Sequence, residues 1–517
     1  MRPGLLHPHH DVDLTAPASH EGHGLIGDLE LTTLVDAMSD GEASIADAAQ
    51  RLLLDPLVDP AAIAFRQGVL TACLARPDVA RELFEIAGRT LERRKKMYWG
   101  LVQRPDAVVH QGIELMHMYR GAFRDLRSVA DAHVDDVEPG GFRDFLSMLR
   151  RELDDPFLAE LDAHLRALRF QDGIRVSARL GRGNRPTGYV LERPAQRRPG
   201  PATRFLRWWR SLRGTHPSVY TYRLPAHDDS GVRALTELQA RGLQRTADAV
   251  GAACNDLLAF FRQLRGELAF YVGCIGLHER LRGLGAPTCM PEPVSAPGVH
   301  GATGLYDASL ALTIGARVVG NDLDADGADL LVVTGANGGG KTTFLRSVGN
   351  AQLMMQCGMF VPASAYRASL TSGLFTHFTR QEDTAMRSGK LDEELSRLND
   401  LVHHMTSGAT LLLNESFAST NEREGSELAS GVVRALTESG VRVLFVTHLS
   451  QFARELYDAR RTGTRFLRAE RQSDGTRTFR MVTGAPERTS HGADLYAATF
   501  GSVGSEAEPV ARTEELR

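Results

Sequence analysis

The chain has 517 residues, of which 42% are hydrophobic and 24% are charged, and its formal net charge is −4. This composition excludes a fibrous repeat and wholesale disorder, and the length favours two or three domains. Because the net charge gives no overall attraction to nucleic acid, any contact with DNA has to come from local basic patches.

The cysteines and the hydropathy pattern indicate a cytoplasmic protein. The five cysteines are scattered, without the paired spacing of a zinc site or a disulfide framework. The N-terminus lacks an apolar signal region, and the most apolar helical stretch, residues 257–277, is interrupted by Arg262, Arg265 and Glu267. We therefore predict neither a signal peptide nor a membrane span, and no membrane partner.

The first half of the chain is predicted to be mainly helical after a flexible tail at residues 1–26. Apolar residues recur at three- and four-residue spacing over residues 27–170, which is typical of an all-α region. Residues 231–297 return to this pattern, and the stretch 232–282 has no proline and few glycines. That stretch fits one long helix or two packed helices.

The segment at residues 171–230 interrupts the helical pattern with glycines and prolines, and short strands are predicted at 189–191 and 219–222. It is strongly basic, and we interpret it as a DNA contact in which arginines bind phosphates and a tryptophan stacks on bases. The candidate residues are Arg197, Arg198, Arg204, Arg207, Trp208, Arg210 and Arg213. Two other interpretations stay open: an amphipathic helix docked on the protein's own core, or a lipid surface.

Residues 298–500 are predicted to form an α/β domain. Short apolar runs at 330–333, 410–413 and 441–446 alternate with helical patterns, which is typical of buried parallel strands. The fold class is therefore multidomain, with an all-α region followed by an α/β domain. Residues 501–517 are small and acidic and are predicted to be a flexible tail.

The strongest motif is a phosphate loop that follows the first of these apolar runs. It fulfils G-x-x-x-x-G-K-[ST] and predicts binding of ATP with Mg²⁺. The candidate ATP-binding residues are Gly335, Ala336, Asn337, Gly338, Gly339, Gly340, Lys341, Thr342 and Thr343. Glycines let backbone N–H groups turn toward one point, Lys341 reaches the β- and γ-phosphates, and the Thr342 hydroxyl helps to hold the metal.

Two further elements end neighbouring apolar runs. Glu415 follows the run 411–413 and is the candidate general base, with Asn414 as an indirect contact to Mg²⁺. An aspartate is usual at the place of Asn414, so turnover is expected to be slow. His448 follows the run 441–446 and is a candidate to sense the γ-phosphate or to position water. The alternatives are a helix cap for the Asn-Glu pair and a structural role for the histidine.

Together these elements resemble the ATPase domain of the MutS mismatch-repair family, a branch of the ABC-type ATPases. Residues 334–342, T-G-A-N-G-G-G-K-T, are similar to the family's T-G-x-N-x-G-G-K-S, including Asn337, which a generic phosphate loop does not need. Residues 358–363, G-M-F-V-P-A, are similar to its G-x-x-V-P-A, and residues 446–448 match its x-T-H switch. The stretch from Asn414 to Gly425 matches the family's D-E-x-G-x-G-T-x-x-x-x-G only in part.

The resemblance implies a homodimer in which a signature segment of one chain contacts the nucleotide of the other. Here the signature departs from the family, because Gly389 or Lys390 stands where its serine is expected. The candidates for this contact in trans are Ser388, Gly389 and Lys390, and a solvated helix start is the alternative.

Upstream, residues 27–31, 59–67 and 255–277 look like the helical core, or lever, of the family, and residues 171–230 correspond to a reduced clamp. The chain starts too close to this lever to hold the family's mismatch-reading wedge, so it is similar to the short MutS relatives.

The resemblance implies an ATPase, nucleoid-associated, that senses mismatched, branched or otherwise aberrant double-stranded DNA in mismatch repair or recombination. The rival hypotheses are a nucleotide-locked scaffold with little turnover and an ABC-like ATPase that acts on ribosomes or chromosome organisation.

Overall fold

The computed structural model describes residues 1–14, 22–97, 104–170, 175–180, 186–192, 229–379, 389–472 and 476–487. The chain divides into two compact units. The first comprises Met1–Pro3, Arg81–Glu138 and Arg143–Arg265, and the second comprises Gly4–Ala80, Pro139–Phe142 and Gly266–Arg517. Within the described ranges, no helix combines the length and the apolarity needed to cross a bilayer.

Helices dominate the first half of the chain, as the spacing of apolar residues predicted. They are α1 Gly22–Asp28, α2 Leu31–Ser39, α3 Ala43–Leu53, α4 Pro60–Ala75, α5 Pro77–Lys96, α6 Pro105–His133, α7 Gly141–Glu152, α8 Asp155–Leu168 and α9 Asp229–Gly283. Local sequence sets several of their starts. Asp59 and Asp154 cap α4 and α8 by accepting backbone N–H groups of the first turn, where each helix also has a proline.

Close packing of α6 on α9 forms much of the first unit. Tyr119 and Phe123 of α6 stack on Phe261 of α9, with ring centroids 5.5 and 5.8 Å apart. A Cβ atom at Gly112 would lie 2.1 Å from Val250 Cγ1, so only glycine permits this approach. The stretch that fitted one or two helices is therefore the single helix α9.

Two strands interrupt the helices. β1 (Arg175–Leu180) and β2 (Pro186–Glu192) pair as an antiparallel hairpin. The strand predicted at residues 189–191 lies within β2, whereas the one predicted at 219–222 lies outside the described residues.

The last 230 or so residues alternate strands and helices, as expected of an α/β domain. The elements are β3 Glu292–Val294, β4 His300–Leu305, α10 Ala308–Ile314, β5 Asn321–Asp324, β6 Leu330–Thr334, α11 Lys341–Gln356, β7 Ala365–Ser369, β8 Leu374–Phe378, α12 Lys390–His404, β9 Thr410–Asn414, α13 Glu422–Glu438, β10 Arg442–Val446, α14 Ser450–Asp458, β11 Thr464–Arg471 and β12 Arg477–Thr483. A small sheet has the order β3-β7-β4-β5.

The large sheet has the order β12-β11-β6-β10-β9-β8, and all its neighbouring pairs are parallel except β11 with β12. Its central strands are buried along their whole length, which explains their unbroken apolar runs. Side chains on one face, such as Leu413 and Phe445, join a core with α12, α13 and α14. On the other face Leu412 meets α11, where a Cβ atom at Gly349 would lie 2.7 Å from its Cδ1. The carboxyl ends of β6, β8, β9 and β10 therefore meet at one edge.

The N-terminal arm, residues 4–14, contradicts the flexible tail predicted for residues 1–26. Leu5 and Leu6 have no exposed surface. The buried carboxylate of Glu267 accepts the Leu5 N–H at 2.6 Å, and the Arg66 guanidinium donates to the Leu6 carbonyl at 2.8 Å. Leu5 and Leu6 are thus part of the core of the second unit, because their side chains are buried and their backbone groups find partners there.

Candidate active site

The loop between β6 and α11 turns sharply at three glycines. Gly335, Gly338 and Gly340 have φ values of 125°, 70° and 88°, in the region that favours glycine over every other residue. The loop also lies close to β11, because a Cβ atom at Gly335 or Gly339 would come within 2.9 or 2.8 Å of Ala469. Larger residues at these two positions would push the loop away from the sheet.

Lys341, the first residue of α11, is only 5% exposed. Its ammonium donates to the carbonyls of Gly335 and Ala336 at 3.0 and 3.2 Å and lies 4.0 Å from Glu415 Oε1. Burial lowers the pKa of Lys341, and the nearby carboxylates oppose that shift. The loop therefore holds a positive charge at the start of α11, where the helix dipole also favours an anion.

Thr342 and Asn414 come together although they are 72 positions apart. The Thr342 hydroxyl donates to Asn414 Oδ1 at 2.9 Å, so the first turn of α11 contacts the end of β9. Within the described residues, no group of three or more His, Cys, Asp or Glu side chains could hold a metal. Thr342 and Asn414 instead fit Mg²⁺ of the kind that arrives with a nucleotide, which takes most of its ligands from phosphate and water oxygens.

Glu415 and His448 form the second half of the site. His448 Nε2 lies 3.0 Å from Glu415 Oε1 and 3.4 Å from the Lys341 ammonium. The second carboxylate oxygen of Glu415 is buried, and no hydrogen-bond partner for it lies among the described residues. One oxygen of this carboxylate is thus held by His448, whereas the other makes no hydrogen bond within the described residues.

A cavity of about 510 Å³ opens beside these residues. Its lining includes residues of the loop and of the start of α11 together with Glu415, namely Asn337, Gly338, Gly339, Gly340, Lys341, Thr342, Thr343 and Glu415. Ile314, Val319 and Phe479, which are 54%, 40% and 47% exposed, add apolar surface to the same cavity. Sequence reasoning missed this apolar surface, which suits a flat ring stacked on Phe479.

Some predicted residues lie elsewhere or cannot be placed. Gly389 is exposed, immediately precedes α12 as its N-cap, and with Lys390 stands apart from the residues that line the cavity. Ser388 lies outside the described residues. So do the candidate DNA contacts Arg197, Arg198, Arg204, Arg207, Trp208, Arg210 and Arg213.

Comparison with known families covers most of the chain. Residues 58–284 match the family model of the MutS2 N-terminal domain, and residues 331–510 match MutS domain V. The second match contains the loop, Lys341, Glu415 and His448 described above.

Individual relatives match shorter stretches. A DNA mismatch repair protein MutS of Chloroflexus aurantiacus is 35% identical over 141 residues, which are 26% of this chain and 15% of that protein. One of Myxococcus xanthus is 34% identical over 170 residues, 29% of this chain and 19% of that protein. An endonuclease MutS2 of Lacticaseibacillus casei is 27% identical over 252 residues, 46% of this chain and 31% of that protein. The chain thus spans less than a third of the length of each of these relatives.

Proposed function

Because this chain belongs to the MutS family, we propose that it is an ATP-dependent DNA-binding protein that senses mismatched or otherwise aberrant DNA in mismatch repair or recombination. The observation that carries the proposal is the convergence of a buried lysine, a hydroxyl, an amide, a carboxylate and an imidazole at one edge of a parallel sheet. The Thr342 hydroxyl donates to Asn414, and His448 lies 3.0 Å from Glu415 and 3.4 Å from the Lys341 ammonium, beside a cavity with both polar and apolar lining residues.

In this proposal the loop and the start of α11 bind the triphosphate of ATP, and the apolar side chains that line the cavity bind its base. Lys341 and the backbone N–H groups at the start of α11 neutralise the phosphates. Thr342 and Asn414 hold Mg²⁺, which polarises the phosphate oxygens when it is bound. The residues fit these groups, because the glycines keep the loop close to the sheet and the Thr342 hydroxyl already has an oriented partner.

Glu415 is proposed to take the proton of the attacking water. His448 lies 3.0 Å from Glu415 Oε1 and so holds the carboxylate of a residue that lines the cavity, where a water can donate to it. His448 also lies near the Lys341 ammonium, so it links the proton acceptor to the phosphate-binding group. A change of charge at the phosphates would therefore alter the electrostatic potential at both His448 and Glu415.

The site is proposed to be completed by a second copy of the chain. Gly389 is exposed and precedes a helix of 15 residues, so the N-terminus of α12 is available to an anion held by a partner. Ser388, Gly389 and Lys390 are the candidates for this contact. ATP bound between two copies would then control how tightly the dimer holds DNA.

The first experiment measures nucleotide binding and turnover in Lys341→Ala and Glu415→Gln variants. Lys341→Ala should lose most of its affinity for labelled ATP, whereas Glu415→Gln should bind ATP and release phosphate at least about 100-fold more slowly. Lys95→Ala and Glu427→Gln, which change exposed side chains, are the matched controls. Undiminished ATP binding by Lys341→Ala would exclude the proposed site.

The second experiment measures binding to mismatched, branched and perfect duplexes, each with and without ATP. Replacing Arg204, Arg207 and Arg210 by glutamate should abolish retention of duplex DNA and flatten its dependence on salt. A control replaces three arginines of the α/β domain by glutamate, the exposed Arg423 and Arg434 and the partly exposed Arg454, and changes the net charge equally. Equal binding by the two triple variants would remove the DNA contact from residues 193–213.

One observation favours a second candidate, a nucleotide-locked scaffold with little turnover. Asn414 is neutral, so the metal lacks one negative charge that a carboxylate would supply. Phosphate release with and without DNA separates the two. Wild-type protein that releases phosphate no faster than Glu415→Gln, with ATP still bound, would favour the scaffold.

A further inference from the structure

The segment Glu415 to Phe417, which follows β9, has an unusual backbone. Glu415 and Phe417 have φ values of 56° and 68°, in the left-handed region that residues with a side chain seldom adopt. Such backbone persists only where surrounding contacts hold it in place. The contacts that hold this segment therefore also decide where the Glu415 carboxylate points.

Strand β8 supplies one set of these contacts. The Ser416 hydroxyl donates to the His377 carbonyl at 3.0 Å and lies 2.7 Å from His377 Nδ1. The Thr379 hydroxyl donates to the Glu415 carbonyl at 2.8 Å. His377 lies on β8, the neighbour of β9, and Thr379 directly follows β8, so both residues hold the segment from the side of that strand.

Glu394 of α12 supplies the contact on the other side. Its Oε1 accepts the N–H of Phe417 at 2.6 Å, and the residue is only 5% exposed. Its Oε2 is also buried, and within the described residues no hydrogen-bond partner contacts it. Burying a carboxylate costs solvation free energy that a hydrophobic residue would not lose. The hydrogen bond to the Phe417 N–H offsets part of that cost, which indicates that this bond has a role.

The helix that carries Glu394 is itself fixed to the sheet. The Glu394 carbonyl lies 3.2 Å from His377 Nε2, and Arg397 donates to the Phe378 carbonyl at 3.0 Å. The Phe417 ring is fully buried in the core. The core therefore holds the Phe417 ring, and Glu394 holds the Phe417 N–H. Together these contacts restrict the backbone conformation of Glu415 and Ser416.

We propose that Glu394 is a positioning residue for Glu415: its hydrogen bond to the Phe417 N–H keeps the left-handed turn that aims the Glu415 carboxylate at the cavity. The role rests on the proposed ATPase function. Glu394 lies on α12, away from the residues that line the cavity, so it acts through the backbone of residues 415–417. It is expected to affect turnover far more than nucleotide affinity.

The test compares Glu394→Ala, Glu394→Gln and Asp400→Ala. Asp400 is an exposed carboxylate on the same helix and is the matched control. Loss of a buried hydrogen bond to a charged acceptor predicts that kcat for ATP falls about 10- to 100-fold in Glu394→Ala, with affinity for ATP within about twofold. Glutamine keeps an oxygen that can accept the Phe417 N–H, so Glu394→Gln should stay within about threefold of wild type.

Hydrogen exchange of the amides at residues 415–418 gives a second measurement that needs no turnover. The Phe417 amide should exchange faster in Glu394→Ala and stay protected in Glu394→Gln and Asp400→Ala. The proposal would be overturned if Glu394→Ala showed unchanged amide exchange, a wild-type kcat, or equal losses of ATP affinity and turnover. It would also be overturned if Glu394→Gln were as slow as Glu394→Ala. Failure of the proposed ATPase function would be seen in a different measurement, because the wild-type protein would then release phosphate no faster than Glu415→Gln.

Discussion

Replacing Asn414 by aspartate tests the least expected feature of the site. The substitution keeps the size of the side chain and adds one negative charge next to the Thr342 hydroxyl. If Asn414 contacts Mg²⁺ indirectly, the added charge should strengthen binding of the cation together with ATP and should speed phosphate release. Without Mg²⁺ the same charge lies beside Glu415, so like-charge repulsion should lower the melting temperature of the free protein.

The size of the effect follows from the geometry. Asn414 Oδ1 lies 2.9 Å from Thr342 Oγ1 and the residue is 9% exposed, so water screens the new charge only weakly. Changes to groups that orient metal ligands typically alter metal affinity by about 10- to 100-fold. That range corresponds to about 1.4–2.8 kcal/mol.

The assay is a Mg²⁺ titration of the binding of a fluorescent ATP analogue, followed by phosphate release at saturating Mg²⁺. Asn399→Asp, which adds the same charge at an exposed position of α12, is the control and should leave the titration unchanged. An Asn414→Asp titration that coincides with wild type would show that Asn414 has no part in holding the cation. Our account of slow turnover would then be refuted.

Two further predictions concern the loop and the buried histidine. Gly339→Ala should abolish ATP binding, because its Cβ would lie 2.8 Å from Ala469 Cβ; Gly431→Ala, in open space on α13, should bind ATP normally. A calorimetric titration with ATP checks both, and tight binding by Gly339→Ala would show that the loop tolerates displacement. Burial and the nearby charge of Arg442 lower the pKa of His300 to about 3. Below about pH 6.5 the unfolded chain therefore binds a proton at His300, whereas the folded protein does not. The free energy of unfolding therefore decreases as the pH falls below about 6.5, and at pH 5 it is lower by about 2 kcal/mol. Urea unfolding should show this loss in wild type and not in His300→Gln; parallel curves would contradict it.

Local patterns were enough to predict three neighbouring strands of the large sheet, β6, β9 and β10, and to place polar site residues after them. Buried parallel strands have unbroken apolar runs, and their carboxyl ends meet at one edge. The sequence could therefore place Lys341, Asn414, Glu415 and His448 side by side without knowledge of the strand order. The distances of 3.0–4.0 Å among polar atoms of Lys341, Glu415 and His448 come only from the structure.

The features that the sequence did not reveal depend on contacts between distant residues. Ile314 and Phe479 line the cavity from elements more than a hundred residues apart, and no local motif marks either one. Glu394 looks like an ordinary helical carboxylate until the fold places it against Phe417. Such roles follow from tertiary position, which residue type and spacing do not encode.

The buried arm at Leu5 and Leu6 also affects how the protein is made. Its partners Glu267 and Tyr271 lie 262 and 266 positions further along the chain. At about 5–20 residues per second, a ribosome needs roughly 13–52 s to reach them after it has made the arm. During that interval two leucines and their unpaired amides remain in solvent, open to chaperones and proteases. The second unit can therefore complete its core only after more than half of the polypeptide has been translated.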